Sequence, residues 1–480
     1  ILKIFFLKRK NVKIYFSKSY QLHDNNFRKI KYFNDSQIFL SENEEEELTF
    51  KSNKIALDFI LNIDTENNPY MFFIKKLVNS NHIHFGIKKY LLDTISLKFR
   101  YYLIYIDLKK KFPDHKMILI ETAYDYFGIK QSLNLKIKDK ISIKIFDKFK
   151  SLLFTTIYLP YHFINKLIKN GISFKYPKQK KYSIGQHLVN GFPEKYFENK
   201  FQNSRSDSLL FDNLSIKNRK NFVFIKSSWK FSKKEDANIR SFLNDHNIDL
   251  IDEINNKINI RYLFNRILIN YLKIIYLNIK LVFSPNNNYF YNEILNKIIK
   301  NIFEFEIFNH YYNLKIFFAR DEYNASHIIR TICLNKYGTL QYGFMHSAFL
   351  HPYKATNLTF IYFNKYFIPG KNYYEKIFKN YWFSNEHPVV GQPYLDFIFK
   401  ATNDNNIKNK FFSYFGKNKI NILIAVPTVN ISSPFENINR IIEKYSNFSE
   451  ILSLKSNINL IFRCRSFNDN IKLKKILINP

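Results

Sequence analysis

LKIFFARDEYNASHIIRTICLNKYGTLQYGFM, residues 314–345, reads as a complete strand, helix and second strand. Leu314–Ala319 is a short apolar run that stops at Arg320, Asp321 and Glu322. Asn324–Tyr337 has the pattern of a helix: Asn324 can cap it, Ile328, Ile329, Ile332 and Cys333 form an apolar stripe, and Gly338 is placed to end it. Thr339–Met345 is the second run and stops at His346. A helical crossover of this kind makes its two strands parallel, so both carboxyl ends fall on one edge of a sheet. Open α/β folds bind ligands at that edge. Asp321, Glu322, His327 and His346 are therefore expected around one crevice.

The same texture extends outward. Downstream, Phe360–Ile368 ends at Pro369-Gly370, and Pro388–Val390 ends at Gly391-Gln392-Pro393. Upstream, Tyr182–Gln186, Phe222–Lys226 and His246–Ile251 read as strands, with helices over Lys233–Asp245, Tyr262–Phe283 and Tyr291–Phe303. Residues 182–402 thus form a Rossmann-like α/β domain. Residues 1–181 are helix-rich and accessory, with apolar stripes over Ile55–Ile63, Met71–Val78, Ile87–Tyr105 and Ile143–Ile168; Asp114–Glu121 fits a strand as well as a helix. The polar stretch 403–415 reads as a linker. Residues 416–480 begin a second α/β unit, with strands Ile420–Val426 and Asn457–Phe462 expected to run parallel around a helix from Phe435 to Leu454. That unit is short of a whole domain, so the C-terminal part is expected to be either truncated or unusually small.

Composition narrows the function classes. A chain of 480 residues holds two or three domains. Two cysteines, Cys333 and Cys464, exclude a disulfide framework and fit buried thiols in a reducing compartment. The net charge of +34 resembles a nucleic-acid binder, but the lysines are scattered without a basic block or basic helix face, and no specific nucleic acid is expected. Lys, Asn, Ile, Phe and Tyr abound while Gly and Pro are scarce, the signature of A/T-rich codons. Such a surface still attracts anionic lipid and phosphorylated ligands. The chain begins at Ile1 and not at methionine, so a signal peptide is neither claimed nor excluded. No uncharged apolar run is long enough to span a bilayer. Ser151–Asn165, with Pro160 inside it, fits a buried or amphipathic helix, or a patch lying on a membrane. A P-loop, GxGxxG, HExxH and CxxC are all missing, which removes support for kinase, classical dehydrogenase and zinc-site readings.

The candidate chemistry sits at strand ends. Asp321 and Glu322 can accept a substrate proton, or equally favour the dipole of the helix that follows. His327 and Arg330 share a helix face at i, i+3 and can point into the crevice. His346, within Gly343-Phe344-Met345-His346-Ser347, is placed for ligand contact or proton transfer. Gly391 to Asp396 combines a tight turn with a helix start, where backbone N–H groups can meet an anion. Arg463 and Arg465 flank Cys464 at a strand end with side chains on one side, which suits a diphosphate or simply a charged terminus.

As an ordered set these residues resemble a known family. Asp321-Glu322-Tyr323, His327, Arg330, Lys336-Tyr337-Gly338, the run Gln341 to Ser347, Tyr366, Gly370, and Val389 to Asp396 look like bacterial surface-carbohydrate biosynthesis proteins. These are GT-B glycosyltransferases of capsule and lipopolysaccharide pathways, more distantly similar to CDP-glycerol glycerophosphotransferases and UDP-N-acetylglucosamine 2-epimerases. The likeness covers roughly residues 182–480. It departs where the family's Gln-His-Gly turn reads Met345-His346-Ser347, and where a Lys-x-His-Pro-like strand end reads Arg463-Cys464-Arg465-Ser466.

The resemblance implies two facing Rossmann-like domains that move a sugar, without a metal or cofactor, from a nucleotide-sugar donor to a lipid-linked or polysaccharide acceptor. The expected setting is the cytoplasm or the inner face of the membrane. It implies Asp321 or His346 as base, Glu322, His327, Arg330, Gly391 and Asp396 against substrate, and Thr428, Asn430, Arg463 and Arg465 against the donor phosphates. Nucleotide-sugar epimerisation and polyol-phosphate transfer are alternatives on the same fold. A non-enzymatic basic protein that binds membrane or nucleic acid is the alternative from charge alone.

Overall fold

The computed structural model describes residues 42–63, 69–111, 113–114, 119–121, 140–142, 144–188, 215, 219–226, 233–282, 289–345, 352–353, 356–391, 405–415, 420–425 and 458–463. The chain divides into two compact units: Ser52–Phe397, and Ile1–Lys51 together with Ile398–Pro480.

The larger unit is built on six parallel strands: β1 (Lys180–Leu188), β2 (Phe222–Lys226), β3 (Asp249–Asp252), β4 (Tyr312–Ala319), β5 (Leu340–Phe344) and β6 (Lys365–Phe367). Their spatial order is 3-2-1-4-5-6, the doubly wound order in which the chain leaves the middle of the sheet first toward one edge and then toward the other. β2 shows why this sheet is internal. Phe222, Val223, Phe224 and Ile225 are all buried, as expected of a parallel strand covered on both faces. Val223 and Ile225 join the main hydrophobic cluster on one face, while Phe222 and Phe224 pack with Ile239, Phe242 and Leu243 of helix α5 (Lys233–Asp245) on the other.

The main cluster is several layers deep. Helices α7 (Tyr289–Tyr311) and α8 (Ser326–Asn335) lie beside the sheet. Over them pack α3 (Ile83–Lys111) and α4 (Lys144–Asn170), whose Ile87, Leu91, Phe99, Leu159 and Phe163 belong to the same cluster. So do Ala56 and Leu57 of α1 (Glu42–Asn62) and Met71 and Ile74 of α2 (Pro69–Val78). The boundary expected at residue 181 therefore runs through the middle of a core. Sandwiched on all sides, α8 is buried from His327 to Leu334, which explains why its apolar stripe is only part of its buried surface.

Several local readings change in detail. The N-cap of α8 is Ala325, with no side-chain cap; Asn324 instead belongs to the turn after Asp321. Gly338 ends that helix with φ +83°, a left-handed conformation that glycine adopts at no steric cost, and the Thr339 N–H returns to the Leu334 carbonyl. The segment after β3 is interrupted, with π-helix over Leu263–Leu268 leading into α6 (Ile269–Val282). The run at Pro388–Val390 forms a single parallel bridge, Ile368 to Val389. Gly391 follows with φ +69°.

Helix α4 continues through Pro160. Proline has no N–H to donate to the carbonyl four residues back, which here is that of Thr156. The Tyr271 hydroxyl of α6 donates to that carbonyl at 2.7 Å. The bond that Pro160 removes from one helix is supplied by its neighbour, and the two helices are clipped together at that point.

In the smaller unit the stretch 403–415 carries a helix, α9 (Asn405–Phe415). Strands β7 (Ile420–Ala425) and β8 (Ile458–Arg463) pair in parallel, with Ala425 opposite Arg463, as expected of a second α/β unit.

Candidate functional site

Strand order decides which residues meet. β1 and β4 are neighbours at the point where the order reverses, so the residues just beyond them share the carboxyl edge with those after β3. There His187 of β1, Glu253 after β3, Asp321 after β4 and Arg330 of α8 form one buried cluster. Arg330 Nη1 and Nη2 donate to Asp321 Oδ2 and Oδ1 at 2.7 and 2.6 Å. Nη1 also donates to Glu253 Oε1 at 3.2 Å, and Nε donates to Gln341 Oε1 of β5 at 3.1 Å. The guanidinium lies 4.5 Å above the Phe317 ring and Arg330 is 1% exposed. His187 Nε2 sits 3.2 Å from Glu253 Oε2, and Nδ1 sits 3.9 Å from Asp321 Oδ2 without a hydrogen-bond partner.

Burial opposes charge on every member, and pairing overcomes it. For Asp321, burial works to raise the carboxyl, but the attraction and hydrogen bonds of Arg330 outweigh it and hold the group well below the usual carboxylate range. Glu253 is likewise held low against burial, by His187 and then by Arg330. Arg330 stays protonated because its two carboxylates outweigh its own desolvation. Two carboxylates thus face one guanidinium, with the imidazole lying between them.

Beside this cluster a cavity of about 390 Å³ opens. Glu253 lines it, and so do Tyr323 to Ser326, the turn that leads from β4 into α8. From α7 come Lys300, Asn301 and Glu304; α3 supplies Tyr90, and Thr356 and Asn357 close one side. Glu304 accepts from His162 Nε2 of α4 at 2.9 Å and lies 4.0 Å from Lys300 Nζ. The lining is rich in carboxylate, amide and hydroxyl groups with two tyrosine rings, chemistry that suits a polyhydroxy ligand. The N-terminal end of α8 adds partial positive charge. Among the described residues no group of three or more His, Cys, Asp or Glu is arranged to hold a metal.

Four of the expected site residues turn out to be internal supports. Asp321 has both oxygens on Arg330, Arg330 spends four of its five N–H donors on Asp321, Glu253 and Gln341, and neither lines the cavity, so neither is presented to a ligand there. His327 is fully buried, stacked 4.8 Å from the Phe363 ring, with Nδ1 on the Asn324 carbonyl and Nε2 accepting from the Tyr362 N–H at 3.3 Å. Burial, and then the charge of Lys89, push it well below its ordinary value; the neutral ring carries its proton on Nδ1. Glu322 is fully buried, and its carbonyl accepts from Lys89 Nζ. Lys89 also donates to the Asn357 and Thr359 carbonyls at 2.8 and 3.0 Å and so locks the loops beside the cavity.

Gly391 lies at the end of the bridged segment. His346, Asp396, Thr428, Asn430 and Arg465 lie outside the described residues; the Arg463 backbone ends β8 as expected.

His187, Glu253, Lys89 and Glu304 were not among the sequence candidates. The strand-end rule that selected Asp321 applies equally to His187 and Glu253, had β1 been extended two residues and β3 shifted one residue later. No local signal marks Lys89 or Glu304. Comparisons with protein-family models, with curated proteins and with solved structures give no match.

Proposed function

We propose that the chain is a sugar transferase of the GT-B type whose cavity at the carboxyl edge receives the acceptor. The observation that carries this reading is the position of Glu253, a carboxylate that belongs both to the buried charge cluster and to the wall of a polar cavity beside the reversal point of a 3-2-1-4-5-6 sheet. Ligands of such folds bind there. Transfer from a nucleotide sugar requires a group that takes the acceptor's hydroxyl proton and positive or N–H donors for the departing phosphate. Glu253 takes the first role in place of Asp321. Held low by its neighbours, it accepts the proton as the new glycosidic bond forms and the hydroxyl turns acidic. His187, hydrogen-bonded to its other oxygen, fixes its orientation. Lys300 and the N-terminal turn of α8 supply positive potential beside it.

The second unit, with parallel β7 and β8, is the proposed donor side, where Thr428, Asn430, Arg463 and Arg465 hold the phosphates; His346 and Asp396 keep their proposed contacts with substrate. The donor is a nucleotide sugar, and the acceptor a polysaccharide or lipid-linked glycan at the cytoplasmic face of the membrane. A second carboxylate in the cavity, Glu304, favours one other reading, nucleotide-sugar epimerisation, which needs acid and base groups on two sides of a sugar.

The test starts with a thermal-shift screen of nucleotide sugars, followed by nucleotide release with and without glycan acceptors. Glu253→Gln should lower turnover by about 10²–10⁴-fold with donor affinity unchanged. Unchanged turnover removes Glu253 from the mechanism. Failure of every nucleotide sugar to bind sinks the transfer reading itself. Deuterium incorporation from solvent without transfer would favour epimerisation.

A further inference from the structure

Helix α4 is apolar on two opposite sides. Its buried side carries Leu159 and Phe163. On the other side Leu153, Ile157, Tyr161, Ile164 and Ile168 recur at helical spacing and are 49–76% exposed. The neighbouring helical segment repeats the arrangement: Ile267 and Ile274 face the core, while Phe264, Leu268, Leu272, Tyr276 and Ile279 are 41–67% exposed. The two stripes adjoin. Tyr271 clips α6 to the Thr156 carbonyl of α4, and Ile172–Ser173, just past the end of α4, pairs in parallel with Ile258–Asn259, just before the π-helical turn. Phe174, 75% exposed, extends the patch beyond that pairing. Contiguous exposed apolar surface on this scale marks an interaction site.

Charge decides what covers it. No Asp or Glu occurs from Lys148 to Tyr182, and none from Ile254 to Asn292. The cations in these segments include Lys169, Lys175, Lys257, Arg261 and Lys273, all exposed. We infer that the paired face of α4 and α6 lies on an anionic lipid surface, with its apolar side chains in the interface and the surrounding lysines and arginines at the headgroups. Helices that lie in an interface have this pattern of apolar face and cationic border. Among the described residues no helix is long and apolar enough to cross a bilayer, so the face rests on the membrane without spanning it. A second copy of the chain is disfavoured as the cover, because two acid-free cationic borders would meet and repel. The inference does not depend on the reading of the cavity.

The experiment is co-sedimentation of the full chain with phosphatidylcholine vesicles, with and without phosphatidylglycerol. Binding is expected only with the anionic lipid, and should weaken as salt rises. The exposed quadruple variant Ile157→Ser, Ile168→Ser, Leu272→Ser, Tyr276→Ser should bind on the order of 100-fold more weakly, because apolar area is lost from the interface. Lys169→Glu with Lys273→Glu, which leaves the apolar face intact, should weaken binding by about tenfold or more. Tyr161→Trp and Tyr276→Trp should each shift to bluer fluorescence on the anionic vesicles, a readout that surface charge alone does not move. Absence of vesicle binding by the parent, or equal binding by parent and quadruple variant, would overturn the inference. So would a dimer in sedimentation velocity that the quadruple variant abolishes while vesicle binding persists, since the face would then join two copies.

Discussion

Replacing Arg330 with methionine keeps most of the side-chain volume and removes the cation at the centre of the buried cluster. Arg330 makes two bonds to Asp321, one to Glu253 and one to Gln341, from a position 1% exposed. Its loss leaves two carboxylates buried with only the His187 imidazole between them. Breaking a buried pair from one side in this way costs about 3–5 kcal/mol. Asp321→Asn should cost less, about 1–3 kcal/mol, since Arg330 keeps Glu253 and gains no uncompensated partner. The pH dependence separates this account from simple loss of packing. In the parent, Asp321 and Glu253 are held below their unfolded values, so their contribution is complete above the unfolded carboxylate pKa and is lost as pH falls through the depressed folded value. Without Arg330 the same carboxyls are buried with less compensation and their folded pKa values rise. The unfolded chain then binds fewer protons than the folded one at mildly acid pH, and the variant gains stability as pH falls from neutrality. The deficit relative to the parent should therefore be largest near neutral pH and shrink in mild acid. Urea unfolding followed by tryptophan fluorescence, with Trp382 buried in this unit, measures it. A deficit below about 1 kcal/mol, or one of full size that does not change with pH, would refute the cluster as an electrostatic keystone.

The other expectations are narrower. Gly343→Ala places a Cβ 2.5 Å from the Phe363 ring, which itself stacks on His327; the variant should lose about 1–3 kcal/mol, and an unchanged melting temperature would argue against that contact. Tyr271→Phe should destabilise by about 1 kcal/mol in the parent and by almost nothing in a Pro160→Ala background, where the Thr156 carbonyl regains an N–H from its own helix; additive effects in the double-mutant cycle would disprove the clip. Burial pushes the Cys333 thiol well above its ordinary value, so in a Cys464→Ser protein it should resist thiol reagents until urea unfolds the chain. Rapid labelling of the folded protein would contradict its burial.

The crossover at residues 314–345 was legible because its signals are local. An apolar run bounded by charge, a stripe at helical spacing and a glycine in the stop position each depend on a few neighbouring residues, and so does the parallel pairing that a helical crossover imposes. For the same reason β7 and β8 were expected to be parallel, and they are. The roles of the strand-end residues were not local. Asp321 looks the same in sequence whether it faces substrate or a buried arginine. The helix stripe of α8 suggested one buried face and gave no warning that Arg330 would be taken up by Asp321, Glu253 and Gln341, or that His327 would be buried against Phe363 and the Tyr362 backbone.

The amino-acid sequence by itself determined the α/β character of the chain, the positions of the six central strands to within five residues at either end, and the sheet edge at which the buried ionisable cluster forms. These follow from backbone periodicity and chain direction, which short-range sterics and burial enforce. Only the tertiary structure decided that β1 and β4 are neighbours, and with them that His187, Glu253, Asp321 and Arg330 share one buried space. It also decided that Glu253, and not Asp321, reaches the cavity, and that the outer sides of α4 and α6 stay uncovered among the described residues. An ionisable or apolar side chain takes its role from what lies within a few ångströms of it. For residues tens to hundreds of positions apart, that distance is set by the packing of the whole core.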